Sequence, residues 1–152
     1  MDKPTGRIEY ESMLLQRHMY MRVQAGRTSG NLERSAYILL SRLQVQGAMS
    51  IGELSEAFDL DYSTLNRQTA ALVREGLAER IPDPVGGMAR KFRLTDDGAQ
   101  RLEAARAEIV SGLDSVLADW SEADQEAYAG FLKRFNMDIE RLSGRPWPRP
   151  EG

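Results

Sequence analysis

Residues 60–80 read "LDYSTLNRQTAALVREGLAER", and this stretch decides the fold. At 3.6 residues per turn, Leu65, Thr69, Leu72 and Val73 fall on one side, as a helix docked on a core requires. The opposite side carries Ser63, Thr64, Arg67 and Gln68 near the helix start. A merely solvated face more often holds Lys and Glu pairs at i,i+4 spacing. Short hydroxyls, an amide and a guanidinium are instead suited to reading base edges and holding phosphates.

The flanks tell what this helix belongs to. Upstream, "SIGELSEAF" sets Ser50 three residues before Glu53, the reciprocal spacing that satisfies the free N–H groups of a helix start. Ile51, Leu54 and Phe58 follow at helical spacing, "DLD" interrupts, and Asp61 caps a new helix from Tyr62. Two short helices with so tight a joint form a helix-turn-helix. Downstream of Gly76, "LAERI" and "RKFRL" alternate as strands around "PDPVGGMA", whose prolines forbid helix and whose glycines supply a turn, so residues 78–94 read as a hairpin or wing.

Further out, helices are expected over residues 8–26 and 32–46, separated by "GRTSGN". Thr95 caps a long helix expected over 96–119. Ser121 and Asp124 repeat the start signal for a last helix reaching about Leu142, with Tyr128, Phe131, Leu132, Phe135, Ile139 and Leu142 on one apolar face. The closing "SGRPWPRPEG" is too proline-rich for regular structure, and its Trp147 reads as an anchor in a subunit contact or as plain tail.

The 152 residues suit one domain, with 41% hydrophobic and 28% charged side chains. There is no cysteine, which excludes disulfides and thiolate metal sites, and a single histidine, His18, argues against an imidazole zinc site. No signal pattern or apolar run of bilayer length is present, so a soluble, cytoplasmic protein with no membrane contact is expected. The net charge of −3 argues against nucleic-acid binding at first. The imbalance, however, sits in residues 96–152, with 7 basic against 12 acidic side chains, whereas residues 51–95 hold 6 and 7 and include the cluster Arg90, Lys91, Arg93. A local surface need not share the sign of the whole.

This order of elements resembles the multiple-antibiotic-resistance regulator (MarR) family of bacterial transcription factors, and the resemblance spans nearly the whole chain. Its most specific residues are "IGELSEAFDLDYSTLNRQTAALVREGLAER" followed by "RLTDDG". The resemblance implies a mainly α fold with a small β-hairpin wing: one MarR-like domain over 1–152, in which 1–31 and 96–152 are dimerisation helices around a winged helix-turn-helix lobe at 32–95. It further implies a homodimer that sets residues 62–75 in the major groove of double-stranded DNA and the wing near the minor groove. Carried onto this sequence, Ser63, Thr64, Arg67 and Gln68 become groove contacts. The family's Asp-x-Arg wing tip is replaced here by Gly86, Gly87 and Met88, leaving Arg90, with Lys91 beside it, as the substitute. Members often bind small anionic aromatics between dimer helices and lobe, which suggests His18, Tyr20, Arg22 and Tyr37 as an effector set.

Blander readings stand beside these. Arg67 alone would be a solvated arginine, and Ser63 and Thr64 could cap the helix, a role compatible with DNA contact. Arg90 and Lys91 could simply keep an exposed strand soluble, both tyrosines could be packing residues, and His18 could be an interface histidine. No catalytic constellation can be assembled and no cofactor is implied, so an enzyme is not expected. The expectation is a DNA-binding regulator, a repressor on a pseudo-palindromic operator, released by a small aromatic or anionic effector. The rivals are a winged-helix dimer acting on a protein partner and a small-molecule-binding protein reusing the fold.

Overall fold

The computed structural model describes residues 3–24 and 32–151, the side chains of residues 20–24 excepted. Its elements run α1 (Pro4–Gln24), α2 (Arg34–Gln46), β1 (Met49–Ser50), α3 (Ile51–Phe58), α4 (Tyr62–Arg74), β2 (Ala78–Pro82), β3 (Arg90–Leu94), α5 (Asp96–Val116) and α6 (Glu122–Ser143). This is the mainly helical, winged helix-turn-helix architecture anticipated. The first helix starts four residues earlier than expected, at Pro4, whose fixed φ and missing N–H suit a first helical position. The expected break at "GRTSGN" lies outside the described residues.

Each cap legible in the sequence is formed. Ser50 Oγ accepts from the Glu53 amide at 3.1 Å while Glu53 Oε1 accepts from the Ser50 amide at 3.2 Å, a complete capping box for α3. Asp61 Oδ1 accepts from the Thr64 amide at 2.7 Å at the start of α4. Thr95 and Ser121 accept from Gly98 and Asp124 in the same way. Helix α5 ends three residues before its expected limit. The Gln125 side chain donates to the Leu117 and Trp120 carbonyls, at 3.5 and 3.2 Å, so the chain turns there without leaving them bare.

The sheet has three strands in the order β1-β3-β2, all antiparallel, with Met49 opposite Phe92 and Arg80 opposite Phe92 on its other side. Strand β1 was not anticipated, because two residues carry no periodicity. Its pairing with β3 anchors the wing to the foot of α3. The core lies beneath: Leu39, Leu40 and Leu43 from α2, Leu54 from α3, Leu65 and Leu72 from α4, and Phe92 from the wing are all buried. Thr69 is buried with them, its hydroxyl donating to the Leu65 carbonyl at 2.7 Å.

Helix α5 is shared between this lobe and the rest of the chain. Its first turns are held by Thr95, whose hydroxyl donates to the Gly76 carbonyl at 2.6 Å and whose amide donates to the Leu77 carbonyl at 3.2 Å. Gly98 lies so close to that Leu77 carbonyl that any Cβ would overlap it, which explains the glycine of "RLTDDG". Leu102 and Ala105 are buried, whereas Leu113 and Val116, further along, are exposed. Helix α6 buries no residue. Its apolar stripe stands open, with Phe131 66% and Leu142 79% exposed, and Ile8, Met13 and Leu15 of α1 are exposed as well.

The closing segment is neither loose tail nor free subunit anchor. Trp147 stacks on Phe58 of α3, ring centroids 5.3 Å apart, and lies 4.5 Å beneath the Arg42 guanidinium of α2. Its amide donates to Glu140 Oε1 at 2.7 Å, and Arg149 pairs with both oxygens of that carboxylate at 2.9 and 2.6 Å. Arg149 and the Trp147 amide hold the Glu140 carboxyl down at about 2. Because that value is depressed in the folded chain, the contact contributes fully above the ordinary glutamate value of 4.5 and is lost only as pH falls through about 2. In a Trp120→Phe background, Trp147 emission is therefore expected to stay flat from pH 8 to pH 5, and Glu140→Gln is expected to shift it at neutral pH. A titration step between pH 7 and 5 would contradict this pairing.

Candidate nucleic-acid interface

The start of α4 is set by Asp61, and the cap also settles what Ser63 can do. Ser63 Oγ donates to Asp61 Oδ1 at 3.0 Å, so its hydrogen is committed and the oxygen is left as an acceptor. The hydrogen bonds from Thr64 and Ser63, with the Arg67 charge behind them, hold the Asp61 carboxyl below its ordinary value. Arg67 is exposed and forms no hydrogen bond or ion pair with the described residues. Thr64 and Gln68 are half-buried, whereas Tyr62 and Asn66 are exposed. The outward face is thus Tyr62, Ser63, Asn66 and Arg67, turned somewhat from the face read by spacing alone. Asn66 lies three residues after Ser63 and was open to the same reasoning. Its amide carries the donor and acceptor needed for a bidentate contact with adenine.

The wing divides its cations. Arg93 Nε donates to Glu79 Oε1 at 2.7 Å across the hairpin. Lys91 Nζ lies 3.1 Å from Glu53 and 3.9 Å from Asp83, and its side chain is only 18% exposed. Burial pushes the Glu53 carboxyl up, but the Ser50 amide and Lys91 outweigh it and leave it below its ordinary value. Lys91, expected beside Arg90 as a DNA contact, is held in this structure by two carboxylates against the foot of α3. Arg90 is exposed, and no ion pair holds it among the described residues. Arg80, which spacing did not single out, lies with its guanidinium 5.3 Å from the Phe92 ring. Arg80 and Arg90 line one concavity with Tyr62 and Asn66, between the start of α4 and the wing. At the tip, Asp83 Oδ1 accepts from the Val85 amide at 2.9 Å, and Val85 and Met88 are fully in solvent.

An open polar face on α4, beside a wing whose Arg80 and Arg90 carry no ion pair among the described residues, is the kind of surface that binders of duplex DNA present. The MarR family profile matches residues 32–85, the span from α2 into the wing. Over 88% of its length the chain is 38% identical to YxaD of Bacillus subtilis, a helix-turn-helix transcriptional regulator of which the match covers 93%. The chain belongs to the MarR family. It is a DNA-binding regulator of that family and not an enzyme. Solved MarR structures share the fold: a MarR family protein from Bacillus stearothermophilus superimposes with a TM-score of 0.73 at 21% identity, covering 90% of this chain and 98% of the other. The PcaV regulator of Streptomyces coelicolor, solved with its natural ligand, gives 0.63 at 23% identity, over 84% and 90% of the two chains.

The expected effector set is only partly visible in this MarR chain. His18 is exposed on α1 and Tyr37 is half-buried against the lobe core, while the side chains of Tyr20 and Arg22 lie outside the described residues. Among the described residues, no cluster of His, Asp and Glu could hold a metal ion, and no helix is long and apolar enough to cross a membrane.

The division of wing cations yields an expected outcome. A lysine already paired with carboxylates displaces no counterion when the protein binds DNA, whereas a free phosphate-facing arginine does. Lys91→Ala is expected to leave the salt slope of log affinity unchanged, and Arg90→Ala to lower it by about 1. Titrations between 50 and 200 mM salt measure both, and the reverse order would mean that the pairs of Lys91 open on DNA.

Proposed function

We propose that the protein is a homodimeric repressor that binds a pseudo-palindromic operator, with Ser63, Asn66 and Arg67 of α4 at base edges and Arg80 and Arg90 on flanking phosphates. Thr64 and Gln68 border this face and support it. The observation that carries the reading is the exposed Arg67, free of ion pairs among the described residues, on an α4 whose start is fixed by Asp61 and whose Asn66 lines the concavity bordered by Arg80 and Arg90. An Arg side chain pairing with a guanine edge contributes about 1 to 3 kcal/mol of discrimination.

Dimerisation through residues 1–31 and 96–152 is supported by the open apolar stripes of α1, α6 and the far half of α5. A helix that is hydrophobic on one face must bury it. A two-fold dimer also sets two recognition helices about 34 Å apart, one turn of DNA. Release by a small aromatic or anionic effector is supported by the likeness to PcaV, solved with its natural ligand, and draws on His18, Tyr20, Arg22 and Tyr37 as the residues to test. The cytoplasm is where such a regulator meets its operator.

One observation favours a second reading, a protein partner at the wing. The tip exposes Val85 and Met88 rather than an arginine. A binding assay with the DNA upstream of the protein's own gene, run in excess nonspecific competitor, separates the two.

In that assay Arg67→Ala is expected to lower specific affinity by about 1 to 3 kcal/mol while nonspecific binding stays the same. Equal loss on all sequences would make Arg67 a phosphate contact, and no loss would sink the recognition face. Sedimentation of the intact chain is expected to show a dimer at micromolar concentration. A monomer that still binds one copy per site would overturn both the dimer and the palindrome.

A further inference from the structure

The turn between α3 and α4 holds Asp59 at φ 53°, the one non-glycine residue at positive φ among those described. Left-handed backbone is costly for a side chain and persists where its surroundings hold it. Part of the hold is local, the Ser55 hydroxyl donating to the Leu60 carbonyl at 2.6 Å and the Leu60 amide to the Ser55 carbonyl at 3.3 Å, and the rest comes from far along the chain. Arg145 Nη2 donates to Asp59 Oδ1 at 3.1 Å, and Arg145 Nε donates to the Glu56 carbonyl, one of the free acceptors at the end of α3, at 3.1 Å.

Arg145 opens a ribbon built to stay extended. Pro146, Pro148 and Pro150 fix alternate φ angles and remove alternate N–H groups, so ordering the ribbon costs little entropy. The Arg145 amide donates to the Glu140 carbonyl and the Trp147 amide to the Glu140 carboxylate, which ties the ribbon to α6. Trp147 then stacks on Phe58, the last residue of α3, and Arg42 covers its other side. Arg42 is only 7% exposed, and its Nη1 finds no partner.

We infer that Arg145 and Trp147 are positioning residues for DNA binding, forming a strap by which α6 sets the turn ahead of the recognition helix. The strap touches no DNA-facing residue. It acts through Asp59 and Phe58, three and four residues before the first residue of α4. The inference rests on the operator-binding reading above, and its consequence is that a change at α6 reaches α4 without passing through the lobe core.

The test uses the full-length chain with Arg145→Ala, Trp147→Ala and the conservative Trp147→Phe, which keeps a ring against Phe58. Two readouts are taken: deuterium uptake at the amides of residues 56–64 in free protein, and affinity for the duplex upstream of its own gene. Both alanine variants are expected to raise uptake at the turn and to weaken operator binding by about tenfold, with sedimentation unchanged and Trp147→Phe close to the parent. Unchanged uptake overturns the strap. Raised uptake with unchanged affinity overturns its positioning role and leaves a clasp that serves stability alone. If the parent chain does not bind the duplex, the operator reading fails, and the uptake arm still decides whether Arg145 and Trp147 hold the turn. Should either alanine variant fail to fold, Glu140→Gln, which loosens the ribbon at α6 without touching the lobe, is measured in its place with the same expectation.

Discussion

The arrangement outside the lobe depends on one crowded junction, where the start of α5 meets the backbone between α4 and the wing. Thr95 spends its amide and hydroxyl on the Leu77 and Gly76 carbonyls, and Gly98 closes the gap to Leu77 with no room for a side chain. Two carbonyls just beyond α4, those of Gly76 and Leu77, are met there, so the direction in which α5 leaves is set by contacts to the main chain. Leu102 and Ala105 then bury the next turns, and the helix carries on beyond the core with Leu113 and Val116 in the open. Helix α4 and the exposed apolar frame are thus joined through one close main-chain contact.

That connection lets an acidic chain offer a cationic face. Four carboxylates at the start of α4 and on the wing are used up locally: Glu53 and Asp83 by Lys91, Glu79 by Arg93, Asp61 by the amide and hydroxyl it receives at the start of α4. Among the described residues Arg67, Arg80 and Arg90, at the start of α4 and on the wing, carry no ion pair. The acidic excess of residues 96–152 lies on helices that the junction carries away from the core. Repulsion between a distant acidic frame and DNA is screened over about 10 Å at ordinary salt, so the local sign governs contact.

What was legible in the sequence follows the reach of each interaction. Caps were legible because Ser50 and Glu53, Asp61 and Thr64, Thr95 and Gly98, and Ser121 and Asp124 meet within three residues. The core face of α4 was legible for the same reason, since Leu65, Thr69 and Leu72 repeat at helical spacing and are all buried. Strand β1, the pairing of Lys91 with Glu53, the seat of Arg80 on Phe92 and the docking of Trp147 all depend on residues brought together from further away. No local pattern encodes them. Asn66 is a different case, because it lies on the same helix turn as residues already singled out and was passed over beside Arg67.

The lobe is therefore attached to the rest of the chain in two unlike ways. At α5 the attachment is the close main-chain approach of Gly98 to Leu77, backed by the buried Leu102 and Ala105, the kind of contact that packed interiors do not deform continuously. At the strap it is made by side chains in partial contact with water: the Arg145 and Asp59 side chains are 42% and 74% exposed, so their pairing is screened and weak alone. A lobe displaced relative to α6 keeps the first attachment and gives up the second. Loss of the strap frees Asp59 from Arg145 and uncovers Arg42, and both changes fall at the entrance to the recognition helix. The softer of the two attachments is the one next to the start of α4, so on the operator-binding reading proposed above the setting of α4 is the first property of the lobe to respond to a displacement of α6.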